Sequence, residues 1–230
     1  GGGVTMELVL IPAGEFMMGS DDGYDDEKPV HKVKISKPFY MGKYEVTQEQ
    51  YEKVMGTNPS YYKGANNPVE TVSWNDAQEF CKRLTQDTGD QITLPTEAQW
   101  EYACRAGTTT KWHSGDEDYL LDDYAWYGYG WAGGRYGTYP TGQKRPNAFG
   151  LYDMHGNVWE WCMDWKSDTY YSESPSVDPK GTATGSARVY RGGYWGSDAD
   201  FFRSAYRLLN APDYRNGGIG FRFVAVRRDR

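Results

Sequence analysis

The 230-residue chain is poor in the residues that most covalent chemistry uses. It holds three cysteines (Cys81, Cys104, Cys162) and three histidines (His31, His113, His155). Three cysteines cannot all pair with one another and none stands in a C-x-x-C, so no redox compartment is dictated. The histidines lack H-x-H or H-x-x-x-H spacing, which argues against zinc. There is no G-x-S-x-G nucleophile elbow and no glycine loop of phosphate-cradling spacing. No apolar run reaches the roughly 18 residues that cross a bilayer. No basic stripe offsets the net charge of −7, and only the terminal "RRDR" is locally basic, so nucleic acid is not an expected partner. The opening "GGGVT" lacks the charged and apolar regions of a signal peptide.

What the chain does hold is glycine and aromatic rings. Its 28 glycines and 11 prolines are spread throughout, which predicts one loop-rich domain over 1–230 rather than two joined by a linker. Twenty tyrosines and nine tryptophans supply amphipathic rings suited to binding surfaces. Residues 6–20 predict two short strands broken at Pro12-Ala13-Gly14, and Val33 and Ile35 alternate as in a strand. Residues 21–29 form an acidic loop without EF-hand spacing, so a solvated loop is expected there rather than a calcium site. Thr47 with Gln50, and Thr96 with Gln99, predict capped helix starts; Ser73 opens a third, with Asp76 in its first turn. Ala77, Phe80, Cys81 and Leu84 fall on one helical stripe, and Gly107 is a plausible stop. After residue 108 the pattern predicts loops and short strands, ending in the alternating "IGFRFVAVRR". Helices first and irregular β afterwards is an α+β class.

Two segments are candidates for function. In "YDMHGNVWEW" (152–161), Asn157 and Glu160 offer hard oxygens three residues apart, which suits calcium; alternatively Gly156-Asn157 sets a turn and Trp159 and Trp161 fill the core. In "GGYWGSDADFFRSAYR" (192–207), glycines and arginines alternate with aromatic, small and acidic residues of no core-like period. Arg191, Arg203, Arg207, Arg215 and Arg222 predict loop ties through guanidinium forks, with anion binding as the alternative.

Six segments, from "LVLIPAGEFMMGS" through "LPTEAQWEYACRAGT" and "GLYDMHGNVWEW" to "RVYRGGYW" and "GFRFV", run in order over nearly the whole chain. Together they resemble the formylglycine-generating enzyme (sulfatase-modifying factor) family. The resemblance implies a loop-rich, C-type-lectin-type α+β fold. The family's enzymes carry a cysteine pair after "RGGS"; here "YWGSDADFF" (194–202) has none. Ser197 and Asp198 lack the softness to replace a thiolate or bind copper, so neither formylglycine chemistry nor a copper cofactor is expected. The match at "GNVWEW" implies a structural Ca2+ held by Asn157, the Val158 carbonyl and Glu160.

A subset of the family, the variable proteins of diversity-generating retroelements, is more similar still. It implies a diversified binding surface over 191–222, made of Tyr194, Trp195, Gly196, Ser197, Asp198, Phe201, Phe202, Tyr206, Leu208, Leu209, Asn210, Asp213, Tyr214, Asn216 and Gly217. That mixture of rings and small polar residues is paratope-like. The leading expectation is therefore a non-catalytic, monomeric receptor for a macromolecular ligand, a protein or a cell-surface molecule. It would act at the cell surface or outside the cell, with its targeting segment missing from this chain. The alternatives are a family enzyme using the same pocket for sulfatase modification or a related oxidation, and an accessory domain with no patch of its own.

Overall fold

Pro12 cannot donate to a ladder, and there the first apolar run breaks. Strand β1 covers Leu8–Ile11 and β2 covers Gly14–Met18, followed by β3 (His31–Ile35), which buries Val33 and Ile35, and β4 (Phe39–Gly42). The computed structural model describes residues 5–128 and 136–227. Helices α1 (Gln48–Met55) and α2 (Trp74–Thr88) come next, then β5 (Gln91–Thr93) and α3 (Glu97–Arg105). All three helices open on reciprocal capping boxes, including Ser73 with Asp76. Each ends in a left-handed residue: Gly56, Gly89, and Ala106 just ahead of the anticipated Gly107.

The second half carries β6 (Trp159–Trp165), the one-turn α4 (Tyr170–Glu173), β7 (Arg188–Arg191), β8 (Leu208–Asn210), β9 (Ile219–Gly220) and β10 (Val224–Val226). One sheet runs β1-β4-β10-β5, another β8-β7-β6-β9, and β2 pairs with β3 alone. The expected single strand "IGFRFVAV" thus divides between two sheets. The cause is Arg222, wholly buried between them, whose guanidinium donates to both oxygens of Glu160 at 2.7 Å. A continuous strand would leave that charge without its carboxylate.

Two large apolar clusters fill the interior, one around Trp100 and Met41, the other around Phe80, Trp161 and Phe221. A third, smaller one gathers Trp112, Leu121, Ala125 and Phe202 beneath the C-terminal loops. Helix is 23% and strand 22%, so loops dominate this α+β fold. Loop order must then come from side-chain ties.

Candidate functional site

β7 delivers the chain to Gly192 and Gly193, with φ of 101° and 83°. A β-carbon on Gly193 would lie 2.5 Å from the Phe202 ring, so only glycine fits this turn off the sheet. The five arginines then act as ties, as their pattern predicted. Arg191 pairs with Glu101 and also donates to the carbonyls of Ala205 and Tyr206. Arg203 holds Glu27 in a fork of 2.6 and 2.8 Å, and Arg207 holds Glu97 at 2.6 and 2.7 Å. Arg215 pairs with Asp76 nearer the surface, and Arg222 with Glu160. Burial alone would raise the Glu97 carboxyl, yet Arg207 and Arg191 overcome it and hold Glu97 below the usual range. Two-point forks of this kind fix loop geometry as well as charge.

On this frame the fifteen expected site residues divide by exposure. Asp198, Leu209, Asp213, Tyr214 and Asn216 are exposed, and Tyr194, Phe201, Leu208, Asn210 and Gly217 are half-buried. The other five are corrections to the displayed set. Phe202 is a core residue, enclosed by Trp112, Leu121 and Ala125. Tyr206 lies under Phe201 and against Trp159, with ring centroids 5.1 and 5.9 Å away. Trp195, Gly196 and Ser197 are buried because a tight turn returns them inward: the Ser197 amide donates to the Tyr194 carbonyl, and the Trp195 amide to that of Asn157. Composition alone does not separate the two sets, since both contain rings and small residues.

Among the contributors to this face that sequence reasoning passed over are two tyrosines of the first half of the chain. Tyr24, in the acidic loop taken as solvated, packs edge-on against Tyr206. Tyr62 packs edge-on against Trp195. Neither carries a local signal beyond being a tyrosine beside polar residues.

The segment at 156–161 takes its turn-and-core alternative. Gly156 and Asn157 adopt left-handed φ of 109° and 61°, and Trp159 and Trp161 are buried. The Asn157 amide donates to Glu45, its oxygen accepts the Tyr139 amide, and the Val158 amide donates to Glu45. Both Glu160 oxygens accept from Arg222, and one also from Trp100 Nε1. The side chains of Asn157 and Glu160 do not fit a calcium ion as held here, since a cation at Glu160 would face a guanidinium. Among the described residues no group of three or more His, Cys, Asp or Glu side chains is arranged around a metal.

Nearby, Asp153 is buried with Oδ1 unpartnered, while its Oδ2 accepts the Gly142 amide. Burial, with Glu160 adding repulsion, raises its carboxyl to about 6. A carboxyl raised in the folded state destabilises once it must ionise, so this cost appears as pH rises from about 4 to about 6. Asp153→Asn is therefore expected to be more stable than the parent at pH ~8, by about 2–3 kcal/mol, with no difference near pH ~4. Thermal melts at both pH values measure this. A variant less stable at the higher pH would instead show that Arg222 and the Gly142 amide outweigh burial in favour of the ionised carboxylate.

The nucleophile candidates are equally enclosed. All three cysteines are free and buried, and burial pushes the Cys104 thiol up to about 12 and those of Cys81 and Cys162 upward. His155, beside Cys104, has its Nδ1 on the Phe202 carbonyl and its Nε2 accepting the His113 amide. It is a spacer beneath the loop with no nitrogen left to act as a base.

Comparison with known proteins follows the same outline. The model for the sulfatase-modifying factor enzyme 1-like domain matches residues 3–227. A formylglycine-generating enzyme from Streptomyces coelicolor is 34% identical, over 95% of this chain and 88% of its own. Among solved structures, variable protein 1 of Treponema denticola superposes with a TM-score of 0.88 at 32% identity, covering 95% of this chain and 94% of that one. PvdO from Pseudomonas aeruginosa gives 0.85 at 33% identity, covering 95% and 93%. The neighbours thus include both an enzyme of the family and a variable protein, on one C-type-lectin-type fold. The chain belongs to the sulfatase-modifying factor enzyme 1-like, or formylglycine-generating enzyme, family.

Proposed function

We propose that the chain is a non-catalytic receptor that presents a diversified C-terminal surface, within 191–222, to a macromolecular ligand. The observation that carries this reading is the division of labour in that segment. Arg191, Arg203, Arg207 and Arg222 and the glycines Gly192 and Gly193 are buried in fixed positions, while Tyr194, Phe201, Leu208 and Asn210 are half-buried and Asp198, Leu209, Asp213, Tyr214 and Asn216 are exposed. Such a surface accepts substitution at exposed positions without disturbing the core, the property a paratope needs. The likeness to a variable protein supports it. The absence of cysteine from 194–202, with the remaining thiols buried and raised, weighs against thiolate catalysis. The ligand is a protein or other cell-surface molecule met by a monomer outside the cell.

The test is a displayed library randomised at Asp198, Phe201, Leu209, Asp213, Tyr214 and Asn216. Most members are expected to fold with melting temperatures within about 5 °C of the parent, the range of sub-kcal surface changes, and to yield binders to unrelated proteins. General loss of folding, or no binder from a folded library, would overturn the proposal. The identity to a formylglycine-generating enzyme favours a second reading, a catalyst. Incubation with a cysteine-containing sulfatase peptide separates the two, and the peptide is expected to remain unoxidised.

A further inference from the structure

The C-terminal segment does not make its surface alone. At one end Tyr24 lies edge-on against Tyr206, centroids 5.7 Å apart, beside Phe201. At the other, Tyr62 meets Trp195 edge-on at 5.2 Å, and Tyr61 meets Tyr62 at 4.9 Å. Tyr24 is 60% exposed and Tyr61 77%, although each touches a ring that is mostly enclosed. Neither belongs to any of the three apolar clusters, so the core does not account for them. Two exposed tyrosines from the N-terminal half are thus joined by ring contacts to the half-buried Phe201, through Tyr206, and Tyr194, through Tyr62 and Trp195. Rings with one face supported and the other open are the typical anchors of protein interfaces.

Charge selects the partner. The cations of the segment are already matched: Arg191, Arg203, Arg207, Arg215 and Arg222 each hold a carboxylate. Its acids are in excess: the exposed Asp198, Asp200 and Asp213 form no salt bridge among the described residues, and Asp198 and Asp200 share a cleft with Asp116, Glu117 and Asp118 against the single cation Lys111. The segment therefore offers ring surfaces and an excess of negative charge. That pairing suits lysine and arginine, whose stems lie on rings and whose charged ends interact with ring faces and carboxylates. It disfavours phosphate-bearing ligands.

We propose that Tyr24 and Tyr61 complete the ligand face, and that its partner is a protein surface presenting lysine or arginine side chains. This rests on the receptor reading above. The two tyrosines lie outside 191–222, so they grip whatever partner the segment selects. Substitutions within the segment then adjust a contact that these rings have already anchored.

The experiment measures fluorescence-anisotropy binding of a labelled lysine–tyrosine random copolymer and of its glutamate–tyrosine counterpart to the intact chain. The lysine copolymer is expected to bind and the glutamate copolymer not to. Tyr24→Ser and Tyr61→Ser leave the net charge unchanged, yet each is expected to weaken binding about fivefold or more, the loss typical of an anchor residue. Both should melt like the parent. Asp198→Asn, Asp200→Asn and Asp213→Asn together should weaken binding about tenfold. The same charge removed at the helical acids Glu49, Glu52 and Asp87 should weaken it far less. Equal binding of both copolymers, or of neither, overturns the choice of partner. Lysine-copolymer binding indifferent to Tyr24 and Tyr61, or equally sensitive to the helical acids, overturns the composite face. None of these failures touches the displayed-library result, which judges the receptor reading separately.

Discussion

Replacing Glu97 with alanine is expected to cost about 3–5 kcal/mol of stability, a large part of what a domain of this kind has. Glu97 is the first residue of α3, and its carboxylate takes two bonds from Arg207 and lies 3.4 Å from Arg191. All three side chains are buried, so the substitution leaves guanidinium charge in the interior with too little counter-charge. One neighbour moderates the loss. Asp164 is raised to about 7 by burial and by repulsion from Glu97, and without Glu97 it would ionise more readily. Denaturant titration followed by tryptophan fluorescence measures the cost. Glu97→Gln, which keeps shape and one acceptor, should fall between parent and alanine and guards against a variant that does not fold. Glu15→Ala removes a carboxylate from the exposed pair with Lys32 and should leave the midpoint unchanged. Because Glu97 is held below the usual carboxyl range, its stabilisation is present at neutral pH and is lost as acid protonates it.

The second large effect separates two adjacent phenylalanines. Phe202→Ala should cost about 3–5 kcal/mol, since it empties the centre of the third cluster, where rigid neighbours cannot collapse inward. Its ring packs over the left-handed Gly193 and Gly156; β-carbons there would lie 2.5 and 2.9 Å from it. Backbone on that side is thus as closely fitted as the side chains opposite. Phe201→Ala removes a half-buried ring and should cost about 1 kcal/mol, with its effect appearing in ligand affinity. Calorimetric melts of both variants compare the costs. Similar losses for the two would mean that Phe201 is also structural and the displayed surface smaller than drawn.

Local order was legible in the sequence. Thr47, Ser73 and Thr96 marked helix starts because capping is settled within four residues, and Val33 and Ile35 marked a strand because alternation is equally local. The arginines were recognisable as ties, but their partners were not. Arg207 reaches 110 residues back to Glu97 and Arg203 reaches 176 back to Glu27, distances over which spacing carries no information. The exposed residues of 194–217 were legible only as part of a larger set. Phe201 and Phe202 differ in which side of a short turn they occupy, and Gly193 and Gly156 decide that from outside the pair. Tyr24 went unseen for a related reason: its acidic surroundings indicate solvation, whereas its position is set by Tyr206, far along the chain.

β10 lies between β4 and β5, and its neighbour in sequence, Arg222, is the ion that closes the gap between the two sheets. During translation the strands on either side emerge long before the one that joins them. Until residues 222–226 leave the ribosome, the sheet is missing an inner strand and Glu160 its counter-ion. That sheet must therefore wait for the C-terminal segment, and a molecule truncated before it lacks both the inner strand and the Arg222 tie to Glu160. The strand that completes one sheet is thereby synthesised just after the loops of 194–217 that the other sheet carries.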